Sequence, residues 1–242
     1  MLCILRTQYR KTQTRAKVIH TFSVSSYTVP MDGELNVALD TADWRQRVFT
    51  LYSEVRQIAG TGHDGDAARA HAYWRRGRDE LFANHPASPL TPEAKGQFAG
   101  LPVADYAPEA RLWAAVDDEG TGEVMNVPTG TDGVVPFGRL GTVRCGDYGS
   151  LALWRHGGYG GGLFLPVRDA LAGHDGGTYG GGRYLLDTIK GAFLGGTDDE
   201  KRLLVDFNFA YNPSCAYDEA WACPLPGPTN RLSTPLPFGE LV

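Results

Sequence analysis

An acid and an amide, Asp206 and Asn208, alternate with aromatic residues in the run LLVDFNF at 203–209. Residues two apart lie on the same face of a strand, so we expect both polar side chains to point to one side of a sheet. If the aromatic side packs under helices, the polar side faces the lumen of a small barrel. A buried carboxylate requires a partner, and we predict that Arg183 pairs with Asp206.

Two interpretations of these polar residues are open. In the functional one, Asp206 and Asp187 act as acid–base groups and Arg183 binds an anionic part of a ligand. In the structural one, the same side chains form an ion-pair and hydrogen-bond network that docks the last strand. The candidate site has two catalytic residues, Asp206 and Asp187, and six ligand-binding residues, namely Arg183, Tyr184, Asn208, Tyr211, Asn212 and Tyr179.

The four cysteines, Cys3, Cys145, Cys215 and Cys223, are too few for a disulfide scaffold. Cys215 and Cys223 lie eight apart in an aromatic, proline-rich segment. They could bond to each other, bind a metal or be buried thiols, and metal binding through this pair is kept as an alternative. Zinc sites favour paired CxxC spacings, which are absent here, so we predict no metal site and no cofactor.

The glycine clusters GGYGGG at 157–162 and GGTYGGGR at 176–183 match no phosphate-binding or dinucleotide-binding motif. They are typical of hairpin turns, and the second could also form a mobile rim beside Arg183. The sequence also contains no GxSxG and no HExxH motif. If the protein is an enzyme, which is undecided, a metal-independent hydrolase or lyase fits better than a redox enzyme.

Two helices are predicted at 41–59 and 66–84. In the first, Thr41 or Asp43 would be the N-cap, and in the second the pair His85-Pro86 ends the helix. A stripe of apolar residues at alternating spacings of four and three marks the buried face of the first helix. Its members are Trp44, Val48, Leu51, Val55 and Ile58.

From residue 100 the period changes to short runs of Val, Leu and aromatic residues between Gly, Pro and Asp clusters, which is typical of antiparallel strands. We predict an α+β fold in which two N-terminal helices pack on an antiparallel, curled, barrel-like or sandwich-like sheet. A proline-rich C-terminal strap at 212–237 would cross this sheet. The candidate strands are 111–116, 123–127, 134–145, 150–156, 162–168, 183–187 and 202–209.

Charge and length limit the classes of function. The 242 residues carry 23 Lys and Arg against 28 Asp and Glu, and residues 1–31 hold five basic residues and no acid. We predict a disordered basic leader at 1–38, with a transit peptide as the alternative, followed by one domain at 39–242 whose β-rich part is 100–242. The acidic remainder disfavours nucleic acid, and no apolar run is long enough for a membrane span, so we expect a soluble, cytoplasmic protein.

Several blocks in a fixed order resemble one known family. They are WRRGRDELFANHPASPL at 74–90, LFLPVRDALAGHDGGTYGGGRYLLD at 163–187, VDFNFAYNPSCAYDEAWACPLPGPTN at 205–230, and Gly239-Glu240. Together they are similar to the domain-of-unknown-function 1684 family over about residues 70–240. The resemblance implies a grouping with bacterial and archaeal proteins and no particular activity. Where the family usually has hydroxyl side chains, this chain has Leu171 and Ala172, which argues against a role for these two positions.

The leading hypothesis is a pocket for a small polar or anionic metabolite at the open end of the sheet. The rival hypothesis, from another class, is a non-catalytic structural or interaction module whose polar face is a satisfied network. No oligomeric state is predicted.

Overall fold

The computed structural model of the protein describes residues 31–63, 65–128, 133–197 and 200–242. Its helices are α1 (Met31–Ala59), α2 (Asp66–Asn84) and the short α3 (Pro92–Gly96). The predicted leader therefore falls outside the described residues from 1 to 30, and residues 31–38 belong to α1. No described helix is both long and apolar enough to cross a membrane.

Helix α1 begins ten residues before the predicted start at 41. The stretch 31–43 contains no proline that would stop a helix. The Thr41 hydroxyl donates to the Val37 carbonyl oxygen at 2.8 Å, which is a bond made inside a helix and not at its cap. The prediction that Thr41 or Asp43 caps this helix was therefore wrong.

The two long helices pack their apolar stripes against each other and against the sheet. Leu51, Tyr52 and Val55 of α1 are buried in one cluster with Trp74 and Phe82 of α2. Helix α2 ends at Asn84 as predicted, because His85 takes an extended conformation before Pro86.

In the described part of the chain, eight antiparallel strands form one curled sheet, in the spatial order β6-β5-β4-β3-β1-β8-β7, with β2 paired to β3. This confirms the predicted α+β fold with N-terminal helices on an antiparallel, half-barrel sheet. The strands are β1 (Arg111–Asp117), β2 (Val124–Pro128), β3 (Val134–Arg144), β4 (Ser150–His156), β5 (Leu163–Val167), β6 (Arg183–Asp187), β7 (Gly196–Thr197) and β8 (Arg202–Asp206).

Both faces of the sheet are buried, each in its own hydrophobic cluster. Along β4, Ala152 and Trp154 join the cluster on the helix side, whereas Leu151 and Leu153 join the cluster on the opposite side. This alternation with a period of two places successive side chains on opposite faces. The sheet is therefore a layer between the helices and a second core.

The last long strand, β8, ends at Asp206 and not at the predicted residue 209. The Asp206 carboxylate accepts a hydrogen bond from the Asn208 backbone N–H at 3.1 Å, and residues 207–209 form one turn of 3₁₀ helix. As a result, Phe207 packs in the cluster away from the helices, while Phe209 packs against Trp74 of α2. The expected shared aromatic face was wrong because the local side-chain bond ends the strand.

The C-terminal strap is held by buried polar contacts. The Asn230 side-chain amide donates to the carbonyl oxygens of Ala152 (2.8 Å) and Pro166 (2.9 Å) and accepts from the Trp154 indole N–H (2.8 Å). Further along, Gly239 has a φ of +69°, and a Cβ there would lie 2.6 Å from the Ala210 carbonyl oxygen. Glycine therefore lets the strap approach Ala210 closely enough to bury the next residue, Glu240.

Candidate functional site

Arg183 does not meet Asp206. Its fully buried guanidinium binds the Asp169 carboxylate (Nη2–Oδ1 3.3 Å) and the carbonyl oxygens of Leu236 (3.0 Å) and Glu240 (3.1 Å). The predicted ion pair was wrong because Arg183 lies on β6 and Asp206 on β8, and four strands separate these two in the sheet. Arg183 instead holds the C-terminal strap against β6.

Asp206 and Asn208 point into the protein interior, where they bind each other and nearby groups. Asp206 accepts hydrogen bonds from Arg111 Nη1 (3.1 Å) and Asn208 Nδ2 (2.8 Å). Asn208 also accepts from the Ala107 N–H and donates to the Ala107 carbonyl oxygen, both at 2.8 Å. Burial raises the pKa of Asp206, although Asn208 and Arg111 oppose the increase. This group joins the end of β8 to the segment before β1.

Four of the predicted site residues do come together at the free edge of β6. Tyr184 and Tyr211 exchange two backbone hydrogen bonds of 2.9 and 3.0 Å, and their ring centroids are 5.7 Å apart. Asp187 ends β6 and lies 3.8 Å from the Lys190 ammonium, and its pKa is raised by burial. Asn212 follows Tyr211 directly. The predicted set is therefore divided: Arg183 and Tyr179 lie elsewhere, Asp206 and Asn208 form their own group, and two residues of the present group, Tyr211 and Asn212, line a cavity.

A cavity of about 60 Å³ lies between α1, α2 and the segment 211–217. Its apolar wall includes Trp44, Val48 and Phe82. The polar side chains of the wall are Arg78, Lys190, Tyr211, Asn212, Ser214 and Tyr217. The cavity is therefore beneath the first helix, beside the edge of the sheet, and not at the mouth of a barrel as predicted.

Arg78 brings a buried positive charge to this cavity. Its guanidinium carbon lies 5.0–5.1 Å from the ring centroids of Trp74, Phe82 and Tyr211, which are cation–π contacts. Its Nη2 donates to the Glu240 carboxylate at 2.7 Å. Burial disfavours the charged guanidinium, but Glu240 and the surrounding tyrosines outweigh it and raise the pKa of Arg78. The arginine is therefore charged although almost entirely buried.

Glu240 has its own hydrogen-bonding capacity filled. Besides Arg78, it accepts from the Asn212 backbone N–H at 3.0 Å and from the Tyr217 hydroxyl. Burial and the neighbouring Glu240 raise the pKa of Tyr217 well above its ordinary value, so this hydroxyl keeps its proton. Glu240 thus fixes three groups of the cavity wall in place.

Three polar atoms on the cavity wall have no hydrogen-bond partner among the described residues. They are the Tyr211 hydroxyl, Asn212 Oδ1 and Arg78 Nε. Tyr211 is 8% exposed and Asn212 is 5% exposed, so bulk water does not cover them. The Asn212 side-chain N–H₂ donates to the Leu241 carbonyl oxygen at 3.1 Å, which identifies the unpartnered atom as the acceptor oxygen. Three residues that line one small space therefore each have an unpartnered donor or acceptor.

The sequence alone did not identify Arg78, Lys190, Tyr217 or Glu240. Arg78 and Glu240 lie inside blocks that carry the family resemblance, and this was the signal available. Their contact joins residues 162 positions apart, which no local pattern reports. Tyr179, a predicted ligand-binding residue, is not on the cavity wall and donates to the Cys215 carbonyl oxygen at 3.3 Å.

The predicted alternative of a metal site at Cys215 and Cys223 lacks further ligands. In the part of the chain that the structure describes, no three His, Cys, Asp or Glu side chains are grouped so that they could hold a metal ion. The thiols of Cys215 and Cys223 do contact each other. Two thiols alone do not complete the four ligands of a structural zinc site.

Comparisons with known proteins group the chain without assigning an activity. The family model described as "Protein of unknown function (DUF1684)" matches residues 96–241. The chain is also similar to an uncharacterized protein of Haloarcula marismortui whose structure was solved by solution NMR. That similarity has 32% identity and a TM-score of 0.51, and it covers 69% of this chain and 89% of the other. No curated protein matches the chain.

Proposed function

Because the chain belongs to the DUF1684 family, whose description states no activity, we propose its function from its own site. The protein binds a small anion in the cavity beneath α1. The observation that carries this proposal is that three residues of the cavity wall, Arg78, Tyr211 and Asn212, each have one buried polar atom without a partner among the described residues. A buried polar atom without a partner costs about 1–3 kcal/mol, so three around one space require an explanation. A ligand that bonds to all three supplies it.

The charges of the wall favour an anion. Arg78 shares Glu240 with other donors, and its Nε has no partner among the described residues. The half-exposed Lys190 ammonium, 3.8 Å from the Asp187 carboxylate, is a second cation at the wall. The aromatic rings around Arg78 exclude water and strengthen its attraction for an opposite charge. These features support an oxyanion held by the guanidinium and the Tyr211 hydroxyl.

Size and hydrogen bonding narrow the class of ligand. A cavity volume of about 60 Å³ is enough for several water molecules and therefore suits a small ligand. Asn212 Oδ1 is an acceptor, so the ligand must also carry a donor. Bicarbonate or a short hydroxycarboxylate such as glycolate has both an oxyanion and a hydroxyl.

A catalytic role is a finer proposal, and of the two predicted catalytic residues only Asp187 fits it. Asp187 exchanges backbone hydrogen bonds with Ala192, a residue of the cavity wall, and lies 3.8 Å from Lys190 Nζ. Asp206 is occupied by Arg111 and Asn208 away from this wall. If the protein acts as a hydrolase or lyase on a bound anion, we propose Asp187 as its base.

Isothermal titration calorimetry on dialysed protein tests the binding proposal. We expect bicarbonate or glycolate to bind, and acetate, which lacks the hydroxyl, to bind more weakly. Tyr211→Phe removes one donor to the anion, so we expect its affinity for the bound anion to fall at least about tenfold, since hydrogen bonds to charged groups contribute about 1.5–3 kcal/mol.

Tyr184→Phe is the matched control, because the Tyr184 hydroxyl donates to the Pro224 carbonyl oxygen at 2.7 Å instead of facing the cavity. The affinity of Tyr184→Phe for the anion should stay within about twofold of the wild-type affinity, because the Tyr184 hydroxyl has no partner in common with the ligand. The proposal fails if none of bicarbonate, glycolate, acetate and inorganic phosphate binds, or if Tyr211→Phe binds as tightly as the wild type.

A further inference from the structure

The segment that follows Asn212 folds back on itself. A single 3₁₀ turn covers Ser214–Ala216, and the chain then reverses through a backbone hydrogen bond from the Trp221 N–H to the Asp218 carbonyl oxygen at 3.1 Å. This reversal brings Cys215 and Cys223, eight positions apart, to the two ends of one compact loop. Both cysteines are free and partly exposed.

The two thiols lie in direct contact with each other and with two tyrosines. Burial, and after it the neighbouring Cys223 thiol, raises the pKa of Cys215, so the two thiols are neighbours. The Tyr179 hydroxyl is 3.9 Å from Cys215 Sγ, and the residue after Cys223, Pro224, accepts a hydrogen bond from the Tyr184 hydroxyl at 2.7 Å. The backbone on both sides is fixed by the bonds of Tyr179 to the Cys215 carbonyl oxygen and of Tyr184 to that of Pro224. The thiols are thus held side by side where solvent can reach them.

We propose that Cys215 and Cys223 form a reversible intramolecular disulfide that locks the 213–224 loop. The loop carries Ser214 and Tyr217, two residues of the cavity wall. The disulfide closes a ring over residues 215–223, so it restricts the main chain that carries Tyr217 and adjoins Ser214, in addition to the bond that already holds the Tyr217 hydroxyl. This consequence for binding rests on the proposed function, whereas the disulfide itself does not.

A low-molecular-weight disulfide such as oxidised glutathione is the oxidant. One protein thiol loses its proton, and the thiolate attacks the glutathione disulfide, which forms a mixed disulfide and releases one glutathione. The second protein thiolate attacks the protein sulfur of the mixed disulfide, which forms the Cys215–Cys223 bond and releases the second glutathione. The two cysteines lose two electrons and two protons, and two glutathione thiols gain them.

Cys145 provides an internal control. It is fully buried, and burial raises its pKa to about 12, so it should not react while the protein is folded. Burial and the neighbouring Cys223 raise the pKa of Cys215 to about 11, so the oxidation is best run at about pH 9, where more thiolate is present.

In the test, reduced protein is treated with oxidised glutathione and then unfolded. The thiols that remain are alkylated, and the protein is digested with trypsin. Residues 203–231 contain a single trypsin site, at their end, so one peptide carries both cysteines. We expect this peptide to lose about 2 Da and to take up no alkylating agent, while Cys145 is alkylated. Reduction with dithiothreitol should restore both thiols.

Single variants separate this result from general oxidation. Cys215→Ser and Cys223→Ser should each keep the remaining cysteine as a mixed glutathione disulfide, because no second thiol is there to resolve it. A wild-type product in which both cysteines stay alkylatable, or carry glutathione, or join two chains, would overturn the proposed disulfide.

The effect on the cavity is measured separately. We expect the oxidised protein to bind glycolate or bicarbonate about threefold more tightly than the reduced protein, because the loop is pre-organised. A disulfide that forms without changing the affinity overturns the proposed lock on the cavity. If the reduced and oxidised forms both fail to bind any of the tested anions, the proposed function is wrong, and the peptide masses still decide the disulfide.

Discussion

Two buried arginines of this protein have different surroundings. Around Arg183, the Asp169 carboxylate accepts from the guanidinium, from the Thr178 hydroxyl (2.7 Å) and from the backbone N–H groups of Leu171 (3.1 Å) and Leu236 (3.0 Å). Arg183 itself also donates to three carbonyl oxygens of the C-terminal strap, and only its Nε lacks a partner among the described residues. This network is nearly complete within the protein.

The surroundings of Arg78 are incomplete. Its guanidinium binds one carboxylate, that of Glu240, and its other neighbours on the cavity wall include the unpartnered Tyr211 hydroxyl and Asn212 Oδ1. Buried polar groups that are fully bonded stabilise a fold, whereas those left unbonded beside a cavity are available to a ligand. The difference indicates a structural role for Arg183 and supports the proposed binding role of the residues around Arg78.

The largest effect is expected from breaking the complete network. Asp169→Asn leaves the Arg183 charge buried without its carboxylate, so we expect the free energy of unfolding to fall by about 3–5 kcal/mol. Urea denaturation followed by fluorescence measures the loss. The control is Asp175→Asn, the same substitution at an exposed position of the same loop, which should change stability by less than about 0.5 kcal/mol. A loss below about 1 kcal/mol for Asp169→Asn would contradict the structural role.

A smaller effect is expected at Asp187, which lies next to the cavity. Burial raises its pKa above the ordinary 3.8, against the opposing influence of Lys190. The unfolded chain therefore loses this proton at a lower pH than the folded protein, and the ionised carboxylate lowers stability as the pH rises through this interval. Asp187→Asn has no such proton, so we expect a gain in the free energy of unfolding on the order of 1 kcal/mol at pH 7.

The pH dependence of this gain in stability shows whether burial or Lys190 dominates the free energy of the charged Asp187 carboxylate. The gain should shrink as the pH falls towards 3.8, because the folded wild-type carboxyl is then protonated and the unfolded one increasingly so. Unfolding free energies of both proteins at pH 7 and at about pH 4 provide the comparison. The opposite result would be an Asp187→Asn variant that is less stable than the wild type at pH 7 but equally stable in acid. It would show that Lys190 stabilises the charged Asp187 carboxylate more than burial destabilises it.

Most of the fold could be predicted from the sequence because it depends on local patterns. The apolar stripe at Trp44 to Ile58 indicated the buried face of α1, and β6 was predicted with the bounds that the structure has. Strand β4 was likewise predicted with its observed bounds, 150–156. These features need only neighbouring residues to be formed.

The site depended on order in the sheet, which local patterns do not contain. Arg183 was predicted to pair with Asp206 because a buried carboxylate requires a partner, yet their strands lie far apart in the sheet. The Asn208 backbone N–H donates to the Asp206 carboxylate, and this hydrogen bond turns the chain. An aspartate that can bond to the N–H two residues later was therefore a local signal that β8 ends early. The contact of Arg78 with Glu240 forms only when α2 and the end of the strap meet.

The most direct test of the central claim is the free energy of unfolding of Tyr211→Phe in dialysed, anion-free protein at pH 7. If the Tyr211 hydroxyl has no partner within the protein, its removal should leave stability unchanged or raise it by up to about 1 kcal/mol, while Tyr184→Phe loses about 1 kcal/mol with its bond to Pro224. A loss of about 1 kcal/mol or more for Tyr211→Phe would show that the hydroxyl is bonded inside the protein, and would contradict its role in binding a ligand.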